Sequence, residues 1–215
     1  MEEVWQEIHQ GRPEGVQPDQ QSYVATVGAG QILLPVRPLP EPGQAVVSLI
    51  LNQASFAVLD LIADALAARL APLAPEVVVA VPTLGLPLAE AVARRLGHPR
   101  LVALGYSRKY WYDDALSVPV SSITTPDQAK RLYLDPRTLP RLQDRRIAVI
   151  DDVLSSGRSM AAALDLLARA ASPPVVIGAA MLQGTHWRAR IAPPVVTAFA
   201  TPRLILRDGL WTPEP

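Results

Sequence analysis

Cysteine is absent from the 215 residues, which excludes disulfides, thiolate metal sites and a cysteine nucleophile. Lysine is scarce: eighteen of the twenty basic residues are arginine, and the two lysines are Lys109 and Lys130. No apolar run approaches the roughly 18 residues of a membrane span. The opening stretch MEEVWQEIHQ is acidic and polar, unlike a secretory signal. A soluble cytoplasmic protein with no membrane partner is therefore expected. Acidic and basic residues balance at twenty each, so there is no basic excess of the kind that nucleic-acid backbone demands, and no nucleic-acid partner is expected. Aromatics make up only 5% of the chain, yet Tyr106, Tyr110, Trp111 and Tyr112 fall within seven positions, around Lys109.

What is present reads as one large α/β domain. Residues 1–22 are polar and suggest a short helix and an irregular lead-in. YVATVGAGQILLPVRPLP (23–40) alternates apolar and polar residues around a glycine turn, as a hairpin does. Apolar residues at helical spacing run from about Ala45 to Ala71, closed by Pro72 and Pro75. EVVVAV (76–81), RLVALGY (100–106) and RRIAVID (145–151) are short runs without a polar face, the pattern of buried parallel strands. Helices are predicted at 86–97 and 159–171, further strands at 174–182 and 194–200, and an edge strand or hairpin at 201–211. Strand–helix–strand units of this kind build a mostly parallel central sheet with helices on both faces. The stretch from Gly105 to about Asp144 lacks clear periodicity.

The chemistry is concentrated in IAVIDDVLSSGRS (147–159), where a greasy strand ends in Asp151 and Asp152. Ligands of open α/β sheets bind beyond the carboxyl ends of the strands. The following loop, Val153, Leu154, Ser155, Ser156, Gly157, Arg158 and Ser159, leads directly into a helix. Its backbone N–H groups and hydroxyls can cradle a phosphate. A strand ending in solvated acids with a Ser-rich helix cap is the plainer alternative. A P-loop is excluded because no Gly-Lys-Ser/Thr ending is present. A dinucleotide fingerprint would carry its acid about 20 residues beyond the glycines, whereas here the acids precede the loop. Phosphate and acids would therefore meet one small sugar phosphate, and a pentose 5-phosphate fits.

These residues resemble the 5-phosphoribosyl-1-pyrophosphate (PRPP) motif of the type I phosphoribosyltransferases. That family implies its own fold, with a small hood built from the N- and C-terminal segments. The expected division is 1–44 as N-terminal hood segment, 45–183 as core and 184–215 as last core strand and C-terminal hood segment. The resemblance implies that PTLG places Thr83, Leu84 and Gly85 on pyrophosphate. It also implies a non-proline cis peptide at Thr83–Leu84 or Leu84–Gly85. A lid at 105–134 is implied as well, carrying Tyr106, Tyr110, Trp111, Tyr112, Lys130 and Arg131, with Arg108 and Lys109 reaching the pyrophosphate. The layout is nearest to the adenine phosphoribosyltransferase-like members, although PTLG departs from the SRG-type loop of the adenine enzymes.

The implied activity is transfer of 5-phosphoribosyl from PRPP to a nucleobase, with purines favoured, and release of pyrophosphate. Asp151 and Asp152 hold the ribose hydroxyls and stabilise a cationic sugar. One Mg²⁺ is carried by PRPP, bridging pyrophosphate oxygens and ribose hydroxyls, and the two acids hold those hydroxyls directly or through water. A homodimer is expected from the family. No general base stands out, since His9, His98 and His186 are scattered. The main alternative is a non-catalytic PRPP-binding regulator of the same fold. A phosphotransfer domain using the acid pair for Mg²⁺ leaves the Ser-Gly-x-Ser loop unexplained.

Overall fold

Short β-branched runs that need two buried faces set the architecture. The computed structural model describes residues 4–120 and 130–214. Its elements begin with β1 (Ile8–His9), β2 (Gly15–Val16), β3 (Ser22–Val27), β4 (Gly30–Pro38) and β5 (Gln44–Val47), followed by α1 (Phe56–Leu70) and β6 (Val77–Ala80). Next come α2 (Gly85–Arg95), β7 (Val102–Ala103), β8 (Ser117–Val120), β9 (Lys130–Tyr133) and the single turn α3 (Leu139–Leu142). β10 (Ile147–Leu154), α4 (Arg158–Arg169), β11 (Val176–Gln183) and β12 (Val195–Thr201) complete the parallel unit. β13 (Arg203–Arg207) and β14 (Leu210–Pro213) form the last hairpin.

The central sheet is wholly parallel in the order β12-β11-β10-β6-β7. Alternation across it explains why its strands carry no polar face. Val78, Ala80, Ala148, Ile150 and Val176 join one core with α1 and α2. Val79, Ile147, Val149, Ile177 and Ala179 join the other, with α4 and the β8–β9 pair. Both faces are covered, so both registers are apolar. The chain reverses its direction of sheet growth between β6 and β10. The crevice at the carboxyl ends of those two strands is where such sheets take ligands.

A second, antiparallel sheet runs β14-β13-β5-β4-β3-β2, with β1 paired to β4. It draws on both ends of the described chain, since β13 pairs with β5.

Three expectations are corrected. The helix expected from Ala45 begins only at Phe56, capped by Ser55, whose hydroxyl accepts from the Val58 N–H at 3.2 Å. Gln44–Val47 is instead a strand held between β4 and β13, and that long-range pairing overrides the local apolar spacing. No helix forms among the described residues of 1–22. Trp5 is buried there and its Nε1 donates to the Ser48 carbonyl at 3.0 Å, with β1 and β2 following. The stretch 105–134 is not wholly irregular, because β8 and β9 form an antiparallel pair that buries Val118, Val120 and Leu132 beside α4. Part of that stretch, 121–129, lies outside the described residues. No helix of the described residues is long and apolar enough to cross a membrane.

Candidate active site

β10 aligns with β6 through Ile150↔Ala80, and the Val81 N–H donates to the Ile150 carbonyl at 2.9 Å. The chain after β6 therefore turns away beside Asp151. The turn begins one residue earlier than the sequence suggested. The cis peptide is Pro82–Thr83, not Thr83–Leu84 or Leu84–Gly85, and it follows directly on the last bond to β10. Leu84 caps α2, and Gly85, its first residue, is buried against the acid pair. A methyl group on Gly85 would lie 2.9 Å from Cα and from Oδ1 of Asp151. Only glycine allows this approach. Gly85 thus sits beside Asp151, at the end of the turn that Thr83 and Leu84 begin.

Asp151 is buried and accepts the Asp152 N–H on Oδ1 at 2.9 Å. Burial pushes its carboxyl well above the usual carboxylate range, and the neighbouring charge of Asp152 pushes the same way. Asp152 is partly exposed. Burial raises its carboxyl too, while hydrogen bonds from Asp151 and from the Val153 N–H oppose the rise. The two neighbouring carboxyls therefore titrate as a pair. Such a pair is poised for a ligand that brings positive charge or hydroxyl donors.

β10 does not stop at Asp151. Val153 and Leu154 remain in register with Met181 and Leu182 of β11, and Leu154 is buried in the core. The loop proper is therefore Ser155, Ser156 and Gly157, with Arg158 and Ser159 opening α4. Gly157 has φ +76°, which suits glycine, and the first N–H groups of a 12-residue helix face the same end as the acids.

The other expected residues divide. The Tyr106 hydroxyl titrates above its usual value through burial and the charges of Asp151 and Asp152, so it stands within electrostatic reach of the pair. Arg108 is held by Asp114, Nε to Oδ1 at 2.8 Å. Lys109 is exposed, and its backbone carbonyl accepts from the Tyr112 N–H at 3.0 Å. Trp111 stacks under Arg137 at 4.6 Å and meets Tyr110 and Tyr112 edge-on, while Tyr110 is 90% exposed. Lys130 lies exposed on β9, and the Arg131 guanidinium is committed to buried Ser117.

Sequence reasoning missed the bracket formed by residues 184–191. There Trp187 and Ile191 pack on Gly157, and Arg190 Nη1 donates to the Ser156 carbonyl at 3.1 Å. The run HWRAR, with two arginines and a histidine past the end of β11, is its one sequence signal. Trp187 and Arg188 also border a cavity of about 460 Å³ at the ends of β11 and β12, with Arg203 and Glu214 opposite. A larger cavity of about 740 Å³ runs along α2 from Thr83 to His98 and excludes the acid pair. His98 Nε2 is buried there without a hydrogen-bond partner among the described residues.

The model of the phosphoribosyl transferase domain family matches residues 49–197. The chain belongs to that family. A xanthine phosphoribosyltransferase of Chloroflexus aurantiacus is 34% identical over 118 residues, 51% of this chain and 50% of that protein. The chain thus spans about half the length of that curated relative. Two solved structures share the fold. The adenine phosphoribosyltransferase of Thermoanaerobacter pseudethanolicus has TM-score 0.62 and 16% identity, covering 78% of this chain and 95% of its own. That of Saccharomyces cerevisiae, complexed with adenine and an imino-altritol bisphosphate, has TM-score 0.58 and 17% identity, covering 77% and 93%. The fold is that of type I phosphoribosyltransferases, with the layout of the adenine enzymes.

Proposed function

We propose that the chain transfers 5-phosphoribosyl from PRPP to a purine base and releases pyrophosphate. The observation that carries this reading is the contact between Gly85 and Asp151, which sets the start of α2 against the strand end that leads through Asp152 into the Ser155–Ser159 loop.

The C1–O bond to pyrophosphate breaks as a ring nitrogen of the base bonds to C1, through a sugar with cationic character. Asp152 faces that charge, and Asp151 holds its place through the Asp152 N–H. Preorganised charge of this kind acts strongly because the acids are already desolvated. Loop N–H groups bind the 5-phosphate, while Tyr106, Arg108 and Lys109 act from the 105–120 side. No group of three or more His, Cys, Asp or Glu that could hold a metal occurs among the described residues. Two carboxylates fit an ion carried in with the substrate, as Mg-PRPP. That ion would neutralise the leaving pyrophosphate.

The antiparallel sheet serves as the hood over the acceptor in this reading, and a second copy of the chain borders the lid. The purine preference is supported by the xanthine and adenine activities in the names of the similar proteins. Pyrophosphate release from Mg-PRPP with adenine, xanthine, guanine and hypoxanthine tests the proposal, with Asp152→Asn alongside. Base-dependent release lost in the variant supports it. Tight PRPP binding without release for any acceptor would instead favour a PRPP-binding regulator.

A further inference from the structure

Peptide geometry at the phosphate loop gives Arg190 a task that the acid pair and loop amides do not explain. The Pro82–Thr83 bond is the cis peptide of the described chain, so the Ser156–Gly157 peptide is trans. In a trans peptide the C=O and the N–H point in opposite directions. Arg190 Nη1 takes the Ser156 carbonyl at 3.1 Å from the side of the 184–191 bracket. The Gly157 N–H is thereby turned the other way, away from Arg190. A carbonyl left free to swing inward would present its negative end to a bound phosphate.

The bracket cannot easily shift. A methyl group on Gly157 would lie 3.3 Å from Trp187 Cα and from Ile191 Cγ1, so loop and bracket are in close backbone contact. The bracket is fixed in turn at its start. Trp187 Nε1 donates to the Gly184 carbonyl at 3.1 Å, and the Gly184 N–H donates to the Thr201 carbonyl at 2.9 Å. Thr201 ends β12, so the chain of contacts runs from the edge strand of the parallel sheet to the loop. The Arg190 guanidinium, bonded to the loop, also adds positive charge beside it, which favours anion binding.

We infer that Arg190 is a positioning residue of the 5-phosphate site, orienting the Ser156–Gly157 peptide so that its N–H meets the phosphate. This rests on the function proposed above. The residue itself does not touch the substrate and acts through the peptide.

Calorimetric titration with ribose 5-phosphate, PRPP and pyrophosphate tests it, on the wild type, Arg190→Ala, Arg190→Lys and the charge control Arg207→Ala on the exposed part of β13. Arg190→Ala should weaken ribose 5-phosphate and PRPP by about tenfold and leave pyrophosphate affinity unchanged. Its KM for PRPP should rise with kcat within about threefold. Arg190→Lys should recover part of the loss, and Arg207→Ala should match the wild type. Equal losses for all three ligands would reveal general damage to the fold and overturn the inference, as would unchanged affinity in Arg190→Ala. A wild type that binds no PRPP would overturn the proposed function and this inference with it.

Discussion

A methyl group placed on Gly85 would press on Asp151 at 2.9 Å, against the Cα of the main chain as well as the side-chain oxygen. The clash is with backbone, which cannot rotate out of the way. Gly85→Ala should therefore cost about 1–3 kcal/mol of stability and separate the two halves of the crevice. Urea denaturation reads the first effect and PRPP titration the second. Wild-type PRPP affinity in this variant would show that the close approach is dispensable.

Asp151 predicts a trade between stability and activity. Its folded pKa lies above the unfolded value of about 3.8, so the folded state binds the extra proton. That contribution is fully present below the unfolded pKa and is lost as pH rises through the folded one. Asp19, Glu76 and Asp114 have lowered values, so their contributions are lost only as pH falls below the ordinary carboxylate range. As pH rises above the unfolded value through the folded pKa of Asp151, the ligand-free protein should lose stability. Asp151→Asn should remove most of that slope, be at least as stable at pH 8, and be inactive. Urea midpoints between pH 5 and 8 measure it, and a flat wild-type profile would contradict the burial argument.

Arg108 cannot reach a ligand while Asp114 holds it. Both side chains are largely exposed, so the pair should add little to stability. Asp114→Asn is expected to leave the melting temperature unchanged and to lower KM for PRPP. Arg108→Ala should also melt like the wild type but lower kcat by about tenfold or more. Thermal melts beside steady-state kinetics check both, and a raised KM in Asp114→Asn would show that the pair is the working arrangement.

Ser117 anchors the base of the β8–β9 pair. It is fully buried, and its hydroxyl accepts from Arg131 at 2.7 Å while donating to the Asp114 carbonyl at 2.7 Å. Ser117→Ala should cost about 1–2 kcal/mol with little change in kcat. Equilibrium unfolding measures the loss. A large fall in kcat at full stability would mean that the hairpin stem itself takes part in turnover.

Local chemistry made the centre of this site legible. Asp151, Asp152 and the Ser-Gly-x-Ser loop are contiguous, and the turn after β6 follows from a buried run meeting Pro82 and Gly85. What depends on distant partners was hidden. Val46 and Val47 read as helix until β4 and β13 claim them as a strand. Val118 and Val120 alternate over four residues only, too few to stand out beside Pro119. Arg190 and Ser156 are 34 positions apart, and no periodicity links them.

The pairing of β13 with β5 also has a consequence for biosynthesis. The Arg203 guanidinium meets Gln44 across 159 positions, 2.7 Å apart. At about 5–20 residues per second, β5 leaves the ribosome on the order of ten seconds or more before its partner exists. Throughout that interval one edge of the antiparallel sheet is an open ladder, the kind that recruits stray strands. The moment of greatest risk for this protein is therefore during its manufacture, and a chaperone that shields Gln44–Val47 would be most useful then.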